Sequence, residues 1–142
     1  MKRTVFYLSF FVFVSLAQQG FAQKEFEKDV IGTWKINISA TEKLTKEKNP
    51  ATKDMPELVK KLFSAIRFEF QKGGKFKTYS ANKEIKGQGS ESTWSLENSI
   101  ITLKNEKTGE IQRFNIVGVD LMELRLHDVN KNTYMVLETV FE

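Results

Sequence analysis

Along most of this chain apolar residues recur at every second position, and that period sets the expected architecture. In "DVIGTWKINIS" the residues Val30, Gly32, Trp34, Ile36 and Ile38 share one side, while Thr33, Lys35 and Asn37 share the other. Such alternation puts one face on a core and the other in water, as in a half-buried strand. The period returns in "IRFEFQ" (Ile66, Phe68, Phe70), in "KFKTYS" (Phe76) and in "ESTWSLE" (Trp94, Leu96). It continues through Ile101 and Leu103, "IQRFNIVGV" (Phe114, Ile116) and "LMELRLHD" (Met122, Leu124, Leu126). A last run, "TYMVLETVF", is apolar on both faces. Turn residues separate the runs at Gly73-Gly74, at Glu97-Asn98 and from Lys107 to Gly109.

The period changes once. Met55, Leu58, Val59, Leu62, Phe63 and Ile66 fall at helical spacing and predict one amphipathic helix. Asp54 stands where it would cap the first turn, Pro56 suits an early helical position, and Glu57 follows as in a capping box. The stretch from Ala40 to Lys53 carries charge and Pro50 without an apolar period, and reads as a solvated loop. One strand precedes the helix and seven follow it. Short connections favour a meander in which each strand pairs with the next. Closure then removes the exposed edges. The expected fold is all-β: an eight-stranded antiparallel up-and-down barrel with one α-helix between the first and second strands.

The N-terminus changes what counts as the domain. Lys2 and Arg3 precede an apolar stretch from Thr4 to Ala17, and Gly20-Phe21-Ala22 fits a cleavage site, with Ser15-Leu16-Ala17 as a second. Residues 1–22 are therefore expected to be a signal peptide and residues 23–142 the barrel domain. The run is shorter than the roughly 20 residues of a membrane-spanning helix. Removing it takes Lys2 and Arg3 away and lowers the formal net charge from +4 to +2, too little for a nucleic-acid partner. No cysteine is present, which excludes thiolate chemistry, disulfide staples and a lipid-anchored export route. A secreted or periplasmic protein, not a lipoprotein, is expected, and about 120 residues suffice for a self-sufficient core.

Candidate chemistry is sparse. His127 is the sole histidine, and Asp128 beside it would face the other side of a strand, out of hydrogen-bond reach. No paired acidic spacing suggests a metal site. The stretch "KGQGSES", Lys86 to Ser92, lacks the ending and the helix of a phosphate loop. The inward faces set by the alternation are apolar except for Thr78 and Ser92, so no catalytic residue, metal or cofactor is expected and the chain reads as a non-enzyme.

Gly32-Thr33-Trp34 at the head of the first strand resembles the G-x-W signature of the lipocalins. The likeness is closer still to the short lipocalin-like domains of secreted bacterial proteins. Those share an "I-G-T-W-K" opening, here Ile31 to Lys35, and a glycine hairpin between phenylalanines, here Phe70 to Phe76. A later glycine-to-tryptophan strand, here Gly87 to Leu96, completes the set. The resemblance implies that Trp34 packs across the closed end of a calycin-type barrel and that Gly32 keeps the neighbouring backbone close. The chain departs from typical lipocalins in having "GVDLM" in place of a T-D-Y-like loop motif, and no arginine on its last strand to cover the Trp. Fatty-acid-binding proteins share "G-T-W-K" but hold a carboxylate with buried arginines, for which Arg113 and Arg125 are the only candidates.

Two readings follow. In the first, Trp34, Ile36, Phe68, Phe70, Phe76, Trp94, Leu96 and Phe114 line an apolar cavity for a small hydrophobic ligand, with the helix closing one opening. In the second, the same side chains fill the barrel, and the protein acts through its surface as an envelope interaction or inhibitor module.

Overall fold

The computed structural model describes residues 27–82 and 90–141. The expected leader, both cleavage sites and most of the "KGQGSES" stretch lie outside the described residues. Eight antiparallel strands close into a barrel in which each pairs with its neighbours in sequence and the last returns to the first. They are β1 (Gly32–Ile36), β2 (Ile66–Phe70), β3 (Lys75–Ser80), β4 (Ser90–Glu97), β5 (Ile100–Lys104), β6 (Ile111–Val119), β7 (Glu123–Asp128) and β8 (Thr133–Thr139). The meander read from the alternation is the observed topology.

Between β1 and β2 stand two helices, α1 (Ile38–Lys48) and α2 (Glu57–Ala65). The second is the expected amphipathic helix; the first replaces the expected loop over Ala40 to Lys53. Its apolar pattern is weak because only Thr41 is buried, so cap chemistry and one side chain hold it in place. Asn37 caps it by accepting from the Ala40 amide at 2.9 Å, and Lys46 and Lys48 complement its C-terminus. Ile38, expected as the last residue of the first strand, opens this helix instead. The Thr41 hydroxyl accepts from the Val136 amide at 2.9 Å and lies 3.3 Å from the Val136 carbonyl, which also takes the Asn37 amide at 2.8 Å. β1 ends at Ile36, so Asn37 and Thr41 continue its ladder along β8.

The capping box expected at Asp54 does not form. Pro56 takes the N-cap position of α2 and makes no side-chain bond there. The Asp54 carboxylate pairs with Lys46 of α1. Glu42 of α1 accepts from the Met55 amide at 2.8 Å and pairs with Lys60 of α2 at 3.3 Å. No residue of α2 is buried, and Leu58 is 70% exposed. The helix covers its end of the barrel through polar links to α1 more than through apolar packing.

The other end is plugged. Val30 sits in a helical turn at residues 27–30 rather than on the first strand, and it is fully buried. The Trp34 indole N–H donates to the Val30 carbonyl at 2.8 Å, which satisfies the one polar atom of a ring that is 2% exposed. Gly32 has φ +148, a conformation that side chains rarely adopt, so the glycine of the G-x-W tripeptide answers a backbone need. Leu124, Ile101 and Leu137 complete the buried core with Trp34.

Candidate functional site

In a barrel of this topology the helices, the β5–β6 turn and the β7–β8 turn share one end. Inward-facing residues near that end leave space. A cavity of about 200 Å³ runs down the lumen from the β5–β6 turn, walled by Phe68 and Phe70 of β2, Phe76 and Thr78 of β3, and Leu103 of β5. Phe114 of β6, Leu126 of β7, and Met135 and Leu137 of β8 complete the apolar wall. A second cavity, of about 340 Å³, lies beneath the helices between Thr41, Thr45, Met55, Phe63, Ile36 and the upper ends of β7 and β8. Phe114 and Met135 border both, so the barrel chamber and the lid chamber adjoin at these two side chains.

Aromatic packing stiffens the barrel chamber. Phe68 stacks on Phe76 at 6.3 Å, Phe76 meets Phe70 at 4.8 Å, and Phe70 stands edge-on to Trp94 at 5.3 Å and 83°. Such offset and edge contacts add to the burial of the rings. Trp94 anchors the row by donating its indole N–H to the Gln71 carbonyl at 2.9 Å. Its own amide donates to the Gly74 carbonyl at 2.8 Å. At Gly74 φ is +88 and an added Cβ would stand 3.2 Å from the Trp94 carbonyl oxygen, so glycine suits both the backbone and the tight approach.

Of the eight residues expected to line a cavity, four line the barrel chamber: Phe68, Phe70, Phe76 and Phe114. Ile36 joins Phe114 around the lid chamber. Trp34, Trp94 and Leu96 line neither; the two tryptophans are buried and Leu96 packs against the same core. Met122, expected inward, lies at the β6–β7 turn and is exposed.

The chamber is also more polar than its expected lining. Thr78 and Ser92 face it as expected, joined by Ser90, Gln112, and Asn105 and Glu110 of the rim. Gln112 was legible, since it alternates with Phe114. Asn105 and Glu110 were not, because they owe their positions to the β5–β6 turn. There the Asn105 side chain accepts the amides of Lys107 and Thr108 at 2.9 and 3.2 Å. The Thr78 and Ser90 hydroxyls share a 2.7 Å bond.

Charged groups lie mainly outside. Arg113 and Arg125 are exposed, and the hydrogen bond that Arg125 donates to the Glu123 carboxylate raises its pKa above the ordinary value. Among the described residues no lysine or arginine lines either chamber. His127 stacks on Tyr134 at 4.4 Å and contacts the Asn132 side chain at 3.0 Å. Asp128 instead turns its carboxylate to the amides of Asn130 and Lys131 at 3.0 and 3.1 Å. Among the described residues there is no cluster of three or more potential metal ligands, and no helix is long and apolar enough to cross a membrane.

This geometry has counterparts among solved structures. A lipocalin-like protein from Bacteroides uniformis matches with a TM-score of 0.53 at 15% identity, over 79% of this chain and 99% of that one. A protein from Bacteroides eggerthii matches with a TM-score of 0.53 at 16% identity, over 78% of this chain and 98% of that one. At these identities the likeness speaks to fold. No curated protein matches the sequence. The sequence model of the lipocalin-like domain matches residues 30–125, from the buried Val30 of the plug through the first strand and on into β7, and the chain belongs to that family.

Proposed function

We propose that this protein is an extracytoplasmic binding protein for a small hydrophobic ligand, which it holds without transforming. One observation carries the reading: two chambers at the helical end, walled largely by aromatic and aliphatic side chains, that share Phe114 and Met135. The lid chamber's 340 Å³ falls within the range of ligand pockets, ~300–1,000 Å³. Burial at ~25 cal/mol per Å² gives a ligand covering ~300 Å² roughly 7 kcal/mol before the costs of association. A 1 μM complex needs ~8 kcal/mol net, so a ligand of that size binds more weakly than micromolar and one that buries more apolar area binds more tightly. The leader-like N-terminus supports export. The outward setting of the sole histidine supports binding over chemistry.

The test is native mass spectrometry of the protein purified from its own host without detergent. A reproducible added mass that vanishes on denaturation is expected. A bare mass that stays bare after incubation with fatty acids, alcohols and hydrophobic dyes would overturn the reading and favour a surface-acting interaction module.

A further inference from the structure

Resting on that binding reading, we propose that the barrel chamber selects amphiphiles whose polar end donates hydrogen bonds, an alkyl or aryl amine in the first place, and discriminates against carboxylates. The polar atoms of the chamber are confined to one arc. Thr78, Ser90 and Ser92 lie on the paired strands β3 and β4, while Gln112, Asn105 and Glu110 cluster where β5 turns into β6. The remaining wall is apolar. A ligand with one polar end therefore has one favourable orientation, its head at this arc and its chain against Phe68, Leu126 and Leu137.

The arc's chemistry decides the head. Thr78 and Ser90 bond each other, and the Asn105 carbonyl oxygen serves the turn amides. Among the described residues the side chains of Glu110, Gln112 and Ser92 have no hydrogen-bond or ion-pair partner. A carboxylate only accepts, a side-chain amide accepts at its oxygen and donates at its nitrogen, and a hydroxyl does either, so the charge of Glu110 is what separates the head groups. An ammonium, with three donors and a positive charge, matches that set. A ligand carboxylate would meet Glu110 as a like charge, with no guanidinium or ammonium lining the chamber to offset it. Two lysines on these strands are engaged in ion pairs with neighbouring carboxylates. Lys104 pairs with Glu106 at 3.5 Å and Lys77 with Glu91 at 3.7 Å.

Calorimetric titration of the purified protein with octylamine, octanol and octanoate at neutral pH and low salt tests the proposal. Glu110 is exposed and its side chain bonds nothing, so Glu110→Gln should fold unchanged, which its melting temperature verifies. Octylamine is expected to bind roughly fivefold or more tightly than octanoate. Glu110→Gln should weaken octylamine roughly two- to fivefold, the range of an exposed ion pair, and leave octanol unaltered. Octanoate binding as tightly as octylamine overturns the proposal, as does an amine preference that survives Glu110→Gln. Octanol reports on the chamber itself. If octanol binds and the amine shows no advantage, only the head-group assignment fails; if none of the three binds, the binding reading fails with it.

Discussion

Replacing Thr41 with valine isolates the contact that ties the helical end to the barrel. The substitution keeps the β-branched shape and changes helix propensity little, so it removes one hydroxyl and almost nothing else. That hydroxyl is the acceptor for the Val136 amide at 2.9 Å, at a residue only 1% exposed. The Val136 carbonyl keeps its bond from the Asn37 amide, whereas the Val136 N–H is left buried without a partner. An unsatisfied buried amide costs ~1–3 kcal/mol. With a urea m-value of ~1–3 kcal/mol/M, a loss of about 2 kcal/mol moves the unfolding midpoint down by about 1 M. Two controls sharpen the assignment. Thr41→Ser keeps the hydroxyl and should lose no more than ~0.8 kcal/mol for the missing methyl. Thr45→Val removes a hydroxyl that bonds only back to the Thr41 carbonyl within the same helix, at 2.7 Å, and should be nearly neutral. A Thr41→Val midpoint within experimental scatter of the parent would refute the idea that α1 extends the β1–β8 ladder.

Three further outcomes follow from other parts of the molecule. Asn98 and Ser99 both adopt positive φ, +51 and +61, in the two-residue β4–β5 turn. Ser99→Gly restores the preferred Asn-Gly pair and should raise stability by ~0.5–1 kcal/mol, read from the same urea titration. The hydrogen bond and charge of Lys46 hold the Asp54 carboxyl below its ordinary value. A depressed acid contributes its stabilisation above the unfolded pKa and loses it as pH falls through the folded one. The link between α1 and the segment before α2 should thus persist through the usual aspartate range and release only below it. Amide exchange in α2 should show that acid step in the parent and lack it in Asp54→Asn. Finally, Ser92→Leu places an aliphatic group in the barrel chamber without orphaning a partner. Thermal unfolding should show unchanged or raised stability while calorimetry shows weakened octanol binding; loss of stability with binding intact would mean that Ser92 does not face usable space.

The barrel was legible because its signal is redundant. All strands but the last repeat the same alternation, and a shift of one residue would turn their apolar set to water. The helical end lacks that redundancy. α1 buries a single threonine, and its start depends on Asn37, a residue that fits equally well on the outer face of a strand. Asp54 had the right spacing for a cap, but local spacing does not register a lysine eight positions earlier on another element. The site divides in the same way. Alternation assigns Trp34, Trp94 and Leu96 inward, and it has no means of telling which end of the barrel an inward residue occupies. Position along the axis comes from register: Trp34 opposite Thr139 and Leu96 opposite Ile101 fall where the core is filled.

That difference between ends bears on whether an open chamber is consistent with a stable fold. An eight-stranded barrel is narrow enough for side chains to fill it. Here Trp34, Leu124, Leu137 and Ile101 fill one part, and the polar atom that Trp34 brings inside is satisfied by Val30. At the helical end the inward positions of β3 and β4 carry the small side chains Thr78, Ser90 and Ser92. Larger apolar residues there would close the chamber and add burial, so the sequence forgoes stability where it leaves space. The lid follows the same division. α2 keeps Leu58 in water and is linked to α1 through the partly buried Lys60–Glu42 pair, with none of its own residues in the core. A rigid plug at one end and a weakly held cover over an unfilled chamber at the other is an arrangement that a barrel acting only through its surface has no physical need to maintain.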